Sequence, residues 1–125
     1  MVLCDTNVII EFFKGNPQVV QQLQKIGQPD IAISAITQAE LYFGALDKKE
    51  LRRIQKSLES IQTYPITTGI SDQFLRLMMT YCLSHHLSIP DALIAATAME
   101  HQVPLYTLNL KDFRFIAGLQ IFAPL

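Results

Sequence analysis

The chain changes from a strand-like to a helix-like pattern at one acidic residue near its start. Residues 2–4 are all apolar, which predicts a short buried strand. After Asp5, the apolar residues Val8, Ile9 and Phe12 follow at the spacing of one helix face. Asp5 therefore lies where a strand becomes a helix, on the side of the helix that faces the interior. A carboxylate in that place needs a partner, because an unpaired buried charge is costly.

Alternating strands and helices continue along the whole sequence. Strands are predicted at residues 2–4, 31–33, 64–66, 104–107 and 119–122. Helical segments are predicted at residues 5–13, 17–26, 35–44, 48–63 and 71–86, from residue 88 onwards, and as a single turn at 109–113. This order favours one α/β domain over residues 1–125, with a mostly parallel central sheet of four to five strands and helices on both faces.

The composition disfavours several classes of protein. Half of the 125 residues are hydrophobic and the net charge is -1, which speaks against a disordered chain and against a generally basic nucleic-acid binder. The first residues lack the basic region of a signal peptide, and no apolar stretch is long enough to cross a bilayer. Cys4 and Cys82 lack metal-binding spacing, so we expect two buried thiols, a cytoplasmic protein and no membrane association.

Four acidic residues share one kind of position, beside apolar residues and near the start of a helix: Asp5, Glu40, Asp91 and Asp112. Helix capping explains each acid taken singly, since Thr37, Ser88 and Asn109 precede three of them at capping-box spacing. Capping does not require an acid to share the apolar face, however, and no lysine or arginine lies one helical turn from Asp5 or Asp91. Oxygen ligands converging on a divalent cation favour Mg²⁺ or Mn²⁺ over zinc. Together the four acids predict a metal site where strand ends meet.

Half of the ten basic residues fall on one face of a predicted helix: Lys48, Lys49, Arg52, Arg53 and Lys56. A solvated helix surface accounts for this pattern, and so does a contact with the phosphates of a nucleic acid. The sequence alone leaves both interpretations open.

Three motifs together resemble the PIN domain and, more narrowly, the VapC-type toxins of bacterial toxin–antitoxin pairs. They are "LCDTNVII", "ITQAELYFGA" and "IPDALIAATAMEHQVPLYTLNLKDF", and a short closing strand ending in "APL" follows them. The resemblance covers nearly the whole chain in content, order and spacing. It implies a Mg²⁺- or Mn²⁺-dependent endoribonuclease that acts as a toxin, forms a homodimer, and is held inactive by a small antitoxin protein.

The resemblance also assigns roles to residues. It implies metal binding and catalysis by Asp5, Glu40, Asp91 and Asp112. It places four polar residues in support of these acids or at the rim of the site: Thr6, Asn7, Thr107 and Asn109. A further acid is often present about one turn after the third, where this chain has Ala95. The resemblance also favours an RNA-backbone contact for the basic helix face.

Two other functions account for part of the pattern. A phospho-acceptor receiver domain also holds Mg²⁺ in an acidic pocket, but it requires adjacent acids after the first strand, and Asp5 stands alone there. A catalytically inactive PIN-like module would bind RNA or protein without cleavage. Cleavage that depends on Asp5 distinguishes this module from the nuclease. We expect a dimer interface among residues 40–46 and 71–86.

Overall fold

The structure is a computed structural model and describes residues 1–124, so that Leu125, the last residue of the "APL" motif, lies outside the described part. Within that part, four strands form one parallel sheet: β1 (Val2–Cys4), β2 (Ile31–Ser34), β3 (Gln62–Tyr64) and β4 (Leu105–Tyr106). Their order is β3-β2-β1-β4, so β1 is central and flanked by β2 and β4. The predicted mostly parallel sheet is confirmed.

Six α-helices connect these strands within residues 1–124: α1 (Thr6–Phe13), α2 (Pro17–Ile26), α3 (Ala35–Phe43), α4 (Lys48–Leu58), α5 (Thr68–His85) and α6 (Ile89–His101). Two short 3₁₀ turns cover Gln28–Asp30 and Leu110–Asp112. None of the described helices is both long and apolar enough to cross a membrane.

Side chains from the sheet enter two separate cores. Leu3, Ala32 and Leu105 pack on one face together with residues of α5 and α6. Cys4 and Ile33 pack on the other face, with residues of α1 and α2. Successive strand residues point to opposite faces, so each core receives alternate positions. The helices therefore cover both faces of the sheet, as the sequence predicts.

Small side chains bring α6 close to α5 and the sheet. Four alanines of α6 are fully buried: Ala92, Ala95, Ala96 and Ala98. Ile94 fills the same core with 1% of its surface exposed. An acidic side chain at position 95 would lie inside this apolar core, where an unpaired charge is costly.

Several predicted boundaries are wrong. The basic helix ends at Leu58, because residues 62–64 pair with β2 as β3. The minor strand predicted at 64–66 therefore lies earlier, and Pro65, which has no N–H to donate, follows its last residue. The strand predicted at 119–122 reduces to a single bridge between Leu105 and Ile121. Cys82 is only partly buried, whereas Cys4 is fully buried as expected.

We expect Ile94→Ala to lower the free energy of unfolding by about 2–5 kcal/mol, because it leaves a cavity in the core beneath α6. Ile66→Ala is the matched control, since Ile66 is 49% exposed. The control should change the free energy by no more than about 0.5 kcal/mol. Chemical denaturation measures both variants, and equal losses would contradict the assignment of Ile94 to the core.

Candidate active site

The carboxyl ends of three neighbouring strands carry the polar residues of the site. Asp5 follows the central strand β1 and is the N-cap of α1. Ser34 ends β2 and is the N-cap of α3, and Thr107 directly follows β4. Parallel strands present their carboxyl ends at one edge of the sheet, where ligands commonly bind. The topology therefore brings residues from distant parts of the sequence together at this edge.

Asp5 is the buried centre of this group, with 6% of its surface exposed. Its Oδ1 accepts a hydrogen bond of 2.8 Å from the Thr6 N–H, and its Oδ2 accepts one of 2.8 Å from the Thr107 hydroxyl. Burial raises the pKa of Asp5 above its usual value, these two hydrogen bonds lower it, and the charges of Glu40 and Asp112 raise it again. Among residues 1–124 no lysine or arginine forms an ion pair with Asp5.

Glu40 reaches the site through Thr6. The Thr6 hydroxyl donates a hydrogen bond of 2.7 Å to Oε1 of Glu40, and it lies 3.0 Å from the hydroxyl of Thr37. Glu40 itself is exposed, so the expectation that it shares a buried helix face is wrong. The capping interpretation of Thr37 is also wrong, because Ser34 caps α3 by accepting a 3.1 Å hydrogen bond from the Thr37 N–H.

Asp91 lies in the first turn of α6, where Ser88 is the N-cap. The Ser88 hydroxyl accepts a 3.3 Å hydrogen bond from the Asp91 N–H. Burial raises the pKa of Asp91 to about 6, and the charge of Asp5 adds to this effect. A side-chain hydrogen bond with Ser88 acts in the opposite direction, while Asp112 and Glu40 raise the pKa further. Asp91 is therefore electrostatically coupled to the other three acids.

Asp112 is held at the rim by the loop that follows β4. The side-chain amide of Asn109 donates a short hydrogen bond to Oδ2 of Asp112, and the Asn109 N–H donates one of 3.0 Å to the Thr107 hydroxyl. Asn7 accepts a 3.3 Å hydrogen bond from the Leu108 N–H, which fixes this loop to α1. A continuous chain of hydrogen bonds thus runs from Asp5 through Thr107 and Asn109 to Asp112.

The donor set suits a hard divalent cation, although the side chains do not surround one closely. Within the described residues, no three acidic, histidine or cysteine side chains lie close enough together to ligate a single ion. The acids are nevertheless all oxygen donors, and burial raises the pKa of Asp5 and of Asp91. Mg²⁺ commonly takes one or two carboxylates and keeps several waters. Two direct carboxylate ligands, with the other acids acting through water, therefore fit this arrangement.

The basic residues predicted to contact RNA lie on α4, and a cleft lies between α4 and Glu40. All five of its basic residues are exposed on α4: Lys48, Lys49, Arg52, Arg53 and Lys56. A cleft of about 300 Å³ separates α4 from the site and is lined by Glu40 on one side and by Glu50 and Ile54 of α4 on the other. None of the five basic residues lines this cleft.

Ser34 and Thr37 are hydroxyl residues of the site that the sequence analysis did not name among the candidate site residues. Thr37 has no exposed surface, and its hydroxyl lies between those of Thr6 and Ser34, the latter at 3.3 Å. One signal was available in the sequence, because Thr37 precedes the apolar Leu41 by four residues and so shares its helix face. The structure buries both residues. A threonine on a buried helix face beside an acid suggests a positioning role.

Known proteins similar to this chain point to one family. The family model described as PIN domain matches residues 2–119. Ribonuclease VapC10 of Mycobacterium tuberculosis is 32% identical over 122 residues, with 96% of this chain and 91% of that protein covered. Toxin FitB of Neisseria gonorrhoeae is 30% identical over 138 residues, with 99% of this chain and 98% of that protein covered.

A solved structure is similar over the whole chain. The toxin–antitoxin complex from Klebsiella pneumoniae contains a chain that is 33% identical, with a TM-score of 0.83 and coverage of 100% of this chain and 98% of that chain. The family expected from the motifs is thereby confirmed. A parallel sheet with an acidic residue at the end of its central strand, matched by the family model over almost the full length, identifies this chain as a member of the PIN-domain family.

Proposed function

We propose that this protein is a toxin of a toxin–antitoxin pair, a cytoplasmic Mg²⁺- or Mn²⁺-dependent endoribonuclease that hydrolyses RNA phosphodiester bonds. The observation that carries the proposal is the burial of Asp5 beside other acids without a basic partner in the described residues. Such a group is stable at neutral pH only when a cation or a proton compensates its charge. Relatives with names such as Ribonuclease VapC10 and Toxin FitB support the nuclease and toxin assignments.

Asp5 and Asp91 would hold the cation directly, with Glu40 and Asp112 acting through water. When bound there, a divalent cation polarises a phosphodiester oxygen and lowers the pKa of a water molecule that attacks phosphorus. Thr107 donates to Oδ2 of Asp5 and so orients this carboxylate in the crevice. Because Asp91 has a pKa of about 6, its carboxyl group retains part of its proton near neutral pH and releases it when a cation binds.

Thr6 and the loop after β4 fix the positions of the outer acids. The Thr6 hydroxyl donates to Glu40 and thereby connects α1 to α3 across the site. The side-chain amide of Asn109 donates to Asp112 and so fixes that carboxylate within the loop after β4. These neutral donors leave the negative charge of the acids in place, whereas a lysine would cancel it. The site therefore keeps its attraction for a cation, while the basic face of α4 attracts the RNA backbone.

The proposed partners are a cognate antitoxin and a second copy of the chain. The similar chain from Klebsiella pneumoniae was solved in a toxin–antitoxin complex, which supports the antitoxin. Large apolar side chains are exposed on both segments where a homodimer interface is predicted. On and after α3 these are Phe43 and Leu46, which are 90% and 87% exposed. On α5, Met79 and Leu83 are 86% and 89% exposed at the spacing of one helix face.

Asp5→Asn and Asp91→Asn should each reduce RNA cleavage by at least about 100-fold, because each removes a charged ligand of the cation. The assay uses protein free of any co-purifying antitoxin, structured RNA, and Mg²⁺, Mn²⁺ or EDTA. Asp72→Asn is the matched control, since Asp72 is exposed on α5. Cleavage that persists in EDTA would contradict the metal dependence, and cleavage that persists in both site variants would contradict the catalytic role of Asp5 and Asp91. RNA binding without cleavage by the wild type would favour the inactive module.

The stability of the metal-free protein should increase as the pH falls from about 7.5 to about 4.5. Asp91 has a pKa of about 6 in the folded protein, above the ordinary value of 3.8, so the folded state binds a proton at a pH where the unfolded state does not. The raised pKa of Asp5 acts in the same direction. Denaturation in EDTA measures the effect, and Asp91→Asn should be more stable than the wild type only at the higher pH. A difference that does not vary with pH would contradict the shift.

Charge removal on α4 should weaken RNA binding without slowing the chemical step. We expect Lys48→Gln, Arg52→Gln and Lys56→Gln, combined in one protein, to raise KM and to leave kcat within about twofold. The slope of log KM against log salt concentration should fall by about 0.7 for each RNA phosphate that the protein no longer neutralises. Arg76→Gln, on the exposed surface of α5, is the control. An unchanged slope would show that the basic face makes no contact with RNA phosphates and is an ordinary solvated helix surface.

A further inference from the structure

A second cleft, of about 430 Å³, opens next to the acidic site between α2 and the end of β4. Gln22 and Lys25 of α2 line one side, and Tyr106 and Thr107 line the other. Phe122, whose ring centroid lies 5.3 Å from that of Tyr106, adds an apolar wall. The volume lies within the range of about 300–1,000 Å³ that is typical of small-molecule sites.

Two polar side chains in this cleft are buried and have no hydrogen-bond partner among the described residues 1–124. Gln22 is 8% exposed and Tyr106 is 4% exposed, and neither the amide nor the phenol hydroxyl bonds to another group within residues 1–124. Elsewhere in the chain the same groups satisfy each other, as where Gln38 donates a 2.6 Å hydrogen bond to the Tyr42 hydroxyl. None of the described polar side-chain atoms is both sealed from solvent and unpartnered. The amide and the hydroxyl therefore face the open cleft, where a ligand can reach them.

The cleft is joined to the acidic site through one residue. Thr107 lines the cleft, and its hydroxyl donates to Oδ2 of Asp5 at 2.8 Å. A group held in the cleft therefore lies next to whatever is bound at Asp5. Lys25 lines the same cleft and supplies a positive charge that suits a phosphate of the same strand.

We propose that this cleft binds one unstacked nucleobase of the RNA beside the cleaved phosphodiester, and that Gln22 and Tyr106 select that base by hydrogen bonds. The inference rests on the proposed nuclease function and names its specificity site. A base has a planar apolar face and a polar edge, which match the Phe122 wall and the two unpartnered groups. RNA is read in this way mainly where bases are unstacked. An amide and a hydroxyl each donate and accept, so they distinguish bases by edge pattern.

The direct test measures binding of the four nucleoside 5′-monophosphates, with ribose 5-phosphate as the base-free probe. NMR titration of the full chain should give one nucleotide at least about fivefold tighter binding than ribose 5-phosphate. Gln22→Leu and Tyr106→Phe should each abolish that difference, because each removes a hydrogen-bonding group and keeps the bulk. Gln24→Leu, exposed on the same helix, and Tyr64→Phe, at the end of β3, are the matched controls and should retain it.

Cleavage of RNAs that differ only in the base beside the scissile bond provides the second measurement. The two variants should lower kcat/KM for the preferred base about tenfold and change it less than about twofold for the other bases. If the wild type cleaves RNA and both variants keep its base preference, the base site is refuted and the nuclease stands. If the wild type binds one nucleotide selectively through Gln22 and Tyr106 but cleaves no RNA, the base site stands and the nuclease fails. Equal binding of all five probes would overturn the inference.

Discussion

A buried carboxylate at the end of the central strand is the feature on which the rest of this site depends. Asp5 is 6% exposed, and its oxygens accept hydrogen bonds only from the neutral groups of Thr6 and Thr107 within residues 1–124. Thr107 follows β4 and Thr6 bonds to Glu40 of α3, so the residues around Asp5 come from both neighbours of β1. The folded chain thereby concentrates negative charge at one edge, and a divalent cation relieves the cost.

The sequence predicts the architecture well because hydrophobic periodicity reports burial directly. The apolar run at residues 2–4 predicts β1 with the observed bounds, and the stripe after Asp5 predicts α1 to within one residue. Alternation of short strands with helices then leads to a parallel sheet covered on both faces, because that order requires crossover connections. The four acids are recognisable as a group for a similar reason, since carboxylates beside apolar residues are unusual unless something pairs with them.

The local sequence pattern predicts secondary structure and burial wrongly where contacts between distant parts of the chain determine them. Residues 62–64 continue the helical pattern of α4, yet they pair with β2, and no signal within the segment reveals that partner. Glu40 has apolar neighbours in sequence but is exposed, whereas Thr37, which contacts the same Thr6 hydroxyl, is fully buried. Gln22 lies in a helix rich in glutamine, where the sequence pattern does not indicate burial. The packing of α2 beside β4 buries it. Such positions depend on tertiary contacts that periodicity does not encode.

Binding of Mn²⁺, measured by electron paramagnetic resonance, tests the central claim most directly because it requires neither a known RNA nor turnover. Wild-type protein should bind Mn²⁺ at neutral pH, and Mg²⁺ should compete for the same site. Asp5→Asn should weaken binding by at least about tenfold, since it removes the buried charge that the cation compensates. Asp72→Asn should bind as the wild type does. Equal Mn²⁺ affinity in the wild type and Asp5→Asn would contradict the account, because the buried carboxylate would then have no part in holding the metal.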